Sequence, residues 1–395
     1  MTAAEKILRK ALVASNLDSR QWNSIQAGLR DRAFFSSRVA KANILDALQR
    51  KAAEYADGHT SISEIRKRMR QDLERMHYTP EAGAEGTIRD LYSKARLDVI
   101  VKQNVATARG FIRWAEGNEP GAYAAFPAKE FKRVHPRKRE RGAAYWQKRW
   151  TDAGGKFHGG RMIALKDDPV WVRLSIFGTP YPPFDWGSGM GVRDIDRKTA
   201  LELGLIDAAG IREKVKALEE KRDRGDLPSM NGDLQATIPM RDDSPVAEEM
   251  RKLFQDNDFF KCNGNVVKWQ SELMHDLFDG KVKKVSLGVG YNGEKTSISR
   301  TIIDDHIIKH IGENEIHGAN MAITRQDFEL VPSLWRSPDR YRAGHSGNDI
   351  RELDTFDGHT LVLVTRKGHG PLTLYKRLNE NVGPEPRRAM NAGSK

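Results

Sequence analysis

Apolar residues recur at three- and four-residue steps over most of the first 120 positions, the period that lays one face of an α-helix on a core. Helices are expected over residues 3–15, 19–34, 36–56 and 60–77. Asp57-Gly58 reads as a stop, and Ser61-Ile62-Ser63-Glu64 as the cap that starts the next helix. The strongest pattern runs from 86 to 116. Leu91, Ala95, Leu97, Ile100, Val101, Val105, Ala108 and Ile112 fall mostly on one face, with the polar Asn104 on the same stripe. Asn104 is either a tolerated amide between helices or a buried hydrogen bond that sets their register.

The period is lost over 151–200, where Gly and Pro break up short apolar runs. Hairpins and turns are expected there. Tyr181-Pro182-Pro183 is held extended, because proline locks its own φ and restricts the residue before it. Trp171 and Trp186 are expected to fill the small core of this module. Short helices follow at 196–203 and 210–221. Residues 222–246 hold no period and many turn formers, which predicts a linker.

Beyond it, helices are expected at 245–256, 267–278 and 299–311. Strands are expected at 285–291, 360–365 and 372–378, the last two joined by the turn Lys367-Gly368-His369-Gly370. The tail from Pro384 is expected to be disordered. The fold class that results is multidomain: a mainly α N-terminal region (1–85), a core module with a small irregular α+β part (86–221), a linker (222–246), a separate C-terminal α+β domain (247–383) and the tail (384–395).

Composition narrows the function. The 395 residues carry 66 Lys and Arg against 54 Asp and Glu, a formal charge of +12, which favours polyanionic partners, nucleic acid first among them. No apolar run is long enough to span a membrane, and the N-terminus has no secretory h-region, so no membrane partner is expected. The single cysteine, Cys262, excludes an intramolecular disulfide and a zinc site built on several thiolates, and it suits a reducing compartment.

The charge is concentrated. Residues 129–150 hold nine Lys or Arg against two Glu. Arg133, Arg137, Lys138, Arg139, Arg141, Lys148 and Arg149 are the candidate phosphate contacts, interleaved with Tyr145, Trp146 and Trp150. The aromatics are expected to pack inward and the charges to face a polyanion; the plain alternative is a solvated surface.

At this point the order of motifs resembles a known family. The run from Arg96 through Ile100, Asn104, Ala108 and Gly110 is similar to the helix of phage head morphogenesis proteins related to the Mu F protein. Basic residues follow, then Tyr145-Trp146, His158-Gly159-Gly160, Asp167-Asp168-Pro169 with Trp171, and Tyr181-Pro182-Pro183-Phe184-Asp185-Trp186-Gly187. The family often closes this motif with Cys-Arg-Cys. Here Ser188-Gly189-Met190 stands there instead, without the thiols. The resemblance covers about 115 residues, with Asn104, Trp171, Tyr181, Pro182, Pro183 and Trp186 as its structural positions. It implies a minor capsid protein inside the virion, at the portal vertex or inner shell, with portal protein, major capsid protein and packaged DNA as partners and assembly in the bacterial cytoplasm.

The C-terminal part resembles the phage-borne nucleases of the barnase, EndoU, colicin and RelE group. The supporting segments are Ile302–Ile311, Ile323 to Phe328, Val331-Pro332, Ser337-Pro338-Asp339 and the closing strands. Metal-independent RNA cleavage needs a base, an acid and cations at the phosphate, and no cofactor. His306 and His310, four apart on one helix face, are candidates for acid and base. Arg366, Lys376 and Arg377 are candidates for the phosphate, and Thr373 with Tyr375 form one strand face, with Lys376 on the other. A zinc site with His317 or His345, a non-catalytic binding domain, and ADP-ribosyl transfer (only faintly echoed by Ser297-Ile298-Ser299) are the alternatives.

Overall fold

The computed structural model describes residues 1–23, 25, 27–137, 140–231, 270–300, 320–321, 323–343 and 347–379. The helix expected at 245–256 lies outside the described residues, as do positions 301–311 of the one expected at 299–311; Ser299 closes a strand and Arg300 is helical. Most of the 222–246 linker and the whole 384–395 tail lie outside as well.

The chain is an α+β protein. Its N-terminal segments depart from the helices expected at 3–15 and 19–34. Helix α1 is only Ala3–Leu8, capped by Thr2 and Glu5 in a reciprocal box. A two-residue strand β1 (Ala11–Leu12) follows, then the short helices α2 (Ser19–Asn23) and α3 (Ala27–Asp31) and strand β2 (Ala33–Phe34). The strands pair in parallel, Ala11 with Ala33 and Leu12 with Phe34, and this long-range pairing overrides local helical periodicity. Three longer helices match their patterns more closely: α4 (Ala42–Ala56), α5 (Ile62–Arg75) and α6 (Lys94–Gly117). Ser61 caps α5 by accepting from Glu64 N–H, as expected. Helix α6 begins only at Lys94, because Ser93 caps it and 79–92 run as turns.

After α7 (Pro120–Ala125) the chain enters a four-stranded sheet. Its strands are β3 (Ala128–Arg133), β4 (Phe157–His158), β5 (Arg161–Leu165) and β6 (Met190–Ile195), in the antiparallel order β4-β5-β3-β6. Helices α8 (Ala143–Asp152) and α9 (Val170–Leu174) pack Trp146, Trp150 and Trp171 against Phe131 and Phe184. Helices α10 (Arg197–Glu202), α11 (Ala208–Asp223) and α12 (Pro228–Asn231) follow. The last covers the opening of the expected linker, where Leu227 is buried and Ser229 Oγ donates to Glu119.

The C-terminal part holds helix α13 (Gln270–Phe278), a hairpin of β7 (Lys284–Val289) and β8 (Lys295–Ser299), strand β9 (Asn320–Met321), and helices α14 (Arg325–Glu329) and α15 (Val331–Arg336). Strands β10 (Arg340–Ala343), β11 (Asn348–Asp354), β12 (His359–Arg366) and β13 (Gly370–Leu378) complete a five-stranded antiparallel sheet in the order β10-β11-β12-β13-β9.

One apolar cluster joins the two ends of the chain. It runs from Ile7, Leu45, Leu48 and Val101 through Met274 to Leu334 and Leu363. Polar locks cross the same seam. Arg32 grips Glu272 with two hydrogen bonds of 2.8 Å, Ser271 Oγ donates to Leu12 O at 3.0 Å, and Asn43 Nδ2 donates to Asp354 O at 2.8 Å. The C-terminal segment therefore completes a core that the N-terminal helices begin, a burial that is mainly hydrophobic in origin.

Candidate functional site

The central module closes around the Tyr181-Pro182-Pro183 loop. Tyr181 is fully buried, edge-on to Phe111 with centroids 5.7 Å apart, and its hydroxyl donates to Asp31 at 2.6 Å. Asp31 in turn pairs with the buried Lys6 at 2.7 Å. The Pro182–Pro183 peptide is cis, and the Pro182 carbonyl rests on the backbone of Gly110 in α6. Asn104 does not bridge helices. Its Nδ2 donates at 2.8 Å to Ile100 O, one turn back on its own helix, and the half-buried side chain faces a cavity.

Trp171 is fully buried, its Nε1 donating to Leu165 O at 2.7 Å, whereas Trp186 is 44% exposed. The expectation that Trp186 fills the core is corrected. Phe184 takes the inward position, and Trp186, two residues on, lies edge-on to Phe177 at the surface.

The basic segment divides in two. Arg141 and Arg149 both reach the buried Asp185 at 2.6 Å, and Arg149 also donates to the carbonyls of Leu174 and Phe184. Arg133 donates to Ser188 O and Arg141 O at 3.0 Å each and pairs with Glu140. These three guanidiniums brace the module through carbonyls and the carboxylates of Asp185 and Glu140, with Arg149 the most buried and Arg141 partly open to solvent. Arg137 is exposed, and Lys148 is 77% exposed beside Asp152. Lys138 and Arg139 lie outside the described residues. Trp146 and Trp150 are buried, as expected of the aromatics, while Tyr145 stays 44% exposed. Burial, reinforced by Lys166, pushes the Lys129 ammonium down to about 8.

In the C-terminal sheet, His306 and His310 lie outside the described residues, as do His317 and His345. The register places Arg340 opposite Glu352, Glu352 opposite Val362, and Val362 opposite Tyr375. Thr360 stands opposite Arg377 and Val364 opposite Thr373. Facing partners project to the same side of a sheet, so Arg340, Glu352, Tyr375, Thr373 and Arg377 share one face.

Glu352 is its centre. The carboxylate accepts from Arg340 at 2.8 Å, Arg377 at 3.1 Å and Arg342 at 3.4 Å. Arg340 also grips Asp354 with two hydrogen bonds of 2.7 Å, and these contacts with Asp354 and Glu352 hold its guanidinium pKa above the usual arginine value. A cleft of about 420 Å³ opens over these residues, with Thr360 and Asn379 on its rim.

Lys376 is corrected as a phosphate ligand. It lies on the opposite, core-facing side with Leu374, paired with Asp327 at 3.0 Å and Asp357 at 2.9 Å. Arg366 is exposed at the end of β12 and donates to Asn348 at 3.0 Å. Sequence reasoning missed Glu352, Arg340 and Arg342. Their signal is two-residue spacing, Arg340/Arg342 and Glu352/Asp354, on strands that carry too few apolar residues to stand out. Among the described residues no group of three His, Cys, Asp or Glu side chains is arranged to hold a metal ion, and no helix is long and apolar enough to cross a membrane.

No protein-family model, curated protein or solved structure matches this chain.

Proposed function

We propose that this chain is a minor head protein of a tailed bacteriophage, seated at the portal or inner shell beside packaged DNA, with a metal-independent ribonuclease on its C-terminal sheet. The observation that carries the first half is the contact of Gly110 with Pro182. The helical and Pro-Pro halves of the signature, far apart in sequence, meet in one packed module through glycine and proline positions that both belong to it. The exposed Arg137 and Lys148 supply cationic contacts for DNA.

The ribonuclease reading rests on the Glu352 face. Glu352 takes the proton from a ribose 2′-OH as its oxygen attacks the adjacent phosphorus. The P–O5′ bond breaks, leaving a 2′,3′-cyclic phosphate and a 5′-OH end. An acid returns a proton to O5′, the role that His306 or His310 is expected to fill. Arg342, with its long contact to Glu352 and a side chain 64% exposed, is the guanidinium best able to turn toward the phosphate. The competing reading, a sheet that binds nucleic acid or a capsid partner without catalysis, draws support from how fully Arg340 is committed to Asp354 and Glu352.

The assay uses the full chain, because the C-terminal segment shares its core with α4 and α6. Labelled RNA is incubated with it in EDTA. Cleavage that persists under chelation and is lost in Glu352→Gln with the fold retained supports the nuclease; intact RNA leaves the non-catalytic reading. Proteomics of purified particles and portal-containing intermediates tests the first half, which fails if the chain is missing at every assembly stage.

A further inference from the structure

A cavity of about 400 Å³ lies where α2, α3 and the 35–37 stretch meet α6 and the 177–186 loop. Its size is that of a small-molecule site. Two features make its wall unusual. The first is uncompensated positive charge. Arg30 places Nε on Ile25 O at 2.8 Å, one terminal nitrogen on Asn23 Oδ1 at 3.1 Å and the other on Phe177 O at 2.7 Å. Arg96 donates to Ser36 Oγ at 2.8 Å and Ser37 O at 2.6 Å, and its buried Nε has no partner among the described residues.

Among the described residues neither guanidinium meets a carboxylate. Asp31, the one acid among the described lining residues, is already paired with Lys6. Against the cost of burial, Lys6 and Lys10 hold the Asp31 carboxyl below its usual range. Burial lowers the Arg30 guanidinium to about 10, the sign of a cation short of a counter-ion.

The second feature is flat aromatic surface. Trp22 and Phe35 stack at 4.1 Å with planes 6° apart, and Trp186, which also lines the cavity, leaves 44% of its surface open. An exposed tryptophan face beside desolvated guanidiniums suits a ligand with a planar ring at one end and an anion at the other.

We propose that this cavity binds a nucleotide, with its phosphate at Arg30 and Arg96 and its base on the face of Trp186. A free mononucleotide and the unpaired terminal nucleotide of a strand share this chemistry. An acidic peptide answers the charge as well, but it makes no comparable use of two planar aromatic surfaces. The site is separate from the Glu352 face and stands whether or not that face is catalytic.

Calorimetric titration of the full chain with dAMP, and separately with a short oligothymidylate in high salt, tests this. Saturable binding with one nucleotide end per chain is expected. Trp186→Ala and Arg30→Gln each weaken it about tenfold, the scale of one stacking or one charge-assisted contact. Lys198→Gln, on an exposed helix away from the cavity, leaves it unchanged.

Trp186→Ala removes an exposed ring, so it reports on the site even if Arg30→Gln fails to fold. Binding of both probes supports the site with a free nucleotide as ligand, and binding of the oligonucleotide alone supports it with a strand end. The proposal is overturned by no saturation with either probe, by equal affinity in Trp186→Ala, or by displacement of dAMP by polyglutamate at equal concentration.

Discussion

Gly110, in the second half of helix α6, lies so close to the Pro182 carbonyl that a methyl group on its Cα would overlap that oxygen and crowd the Tyr181 ring. Only glycine allows the helix and the Pro-Pro loop to meet here. Gly110→Ala is expected to cost about 2 kcal/mol or more, since the clash is with backbone and relief requires moving either the helix or the loop. Gly121→Ala is the control: exposed in α7 with open space around it, it is expected to be neutral or to gain up to about 1 kcal/mol. Chemical denaturation of both variants checks the pair. Equal stability would mean the α6–loop contact is not tight.

Asp185 is expected to matter more for stability than any single cation of the basic segment. It is buried and holds both Arg141 and Arg149. Asp185→Asn removes the charge that pairs both guanidiniums, leaving Arg149 on the Leu174 and Phe184 carbonyls, and is expected to cost on the order of 3 kcal/mol. By contrast, Arg137→Gln with Lys148→Gln should leave the melting temperature in place and flatten the salt dependence of DNA binding. If Arg141→Gln and Arg149→Gln flatten the salt slope without loss of stability, the inward assignment is wrong.

Lys376→Met is expected to unfold the C-terminal sheet before it informs on chemistry. Asp327 and Asp357 would lose their shared ammonium, and Asp327 is almost wholly buried. Removing one member of such a buried cluster costs about 3–5 kcal/mol. The Asp327→Asn/Lys376→Met double variant should recover part of the loss. A Lys376→Met protein of wild-type stability would contradict this.

Asp46 carries a pH dependence. Burial pushes its carboxyl up to about 7 against the pull of Arg50, and Glu329 and Asp327 across the seam raise it further. Its folded pKa exceeds the unfolded value. Its stabilising contribution is therefore complete below about pH 4 and is lost as pH rises through about 7, at up to about 1.4 kcal/mol per pH unit in between. Unfolding free energies at about pH 5 and pH 8 should show a loss at the higher pH, and Asp46→Asn should reduce it. The same slope in both proteins would assign the effect elsewhere.

Much of the helical scaffold was legible in the sequence. Helices α4, α5 and α6 each bury one stripe, so their apolar period survives in the chain, and Ser61 marks a start because its cap bond is local. The hairpin of β12 and β13 was legible for the same reason, with its turn residues between two apolar runs. The parallel pairing of Ala11 with Ala33 was not, since two-residue strands carry no period. The site was only partly legible. Thr373 and Tyr375 share one face, as expected, and Arg377 joins them there, but Glu352 and Arg340 gain meaning only when β10 and β11 are laid beside them.

By itself, then, the sequence determined which segments carry a helical or strand period, where local caps and turns interrupt them, and how much positive charge the chain bears. Tertiary structure alone decided which charges point outward. Arg141 and Arg149 look like Lys148 in a list of residues and differ only because Asp185 arrives from more than thirty positions away. It also decided that Phe184 rather than Trp186 fills the core and that the two ends of the chain share one apolar cluster. The physical reason is range: hydrogen bonding and periodicity act between near neighbours, whereas burial and charge compensation depend on whatever the folded chain brings alongside.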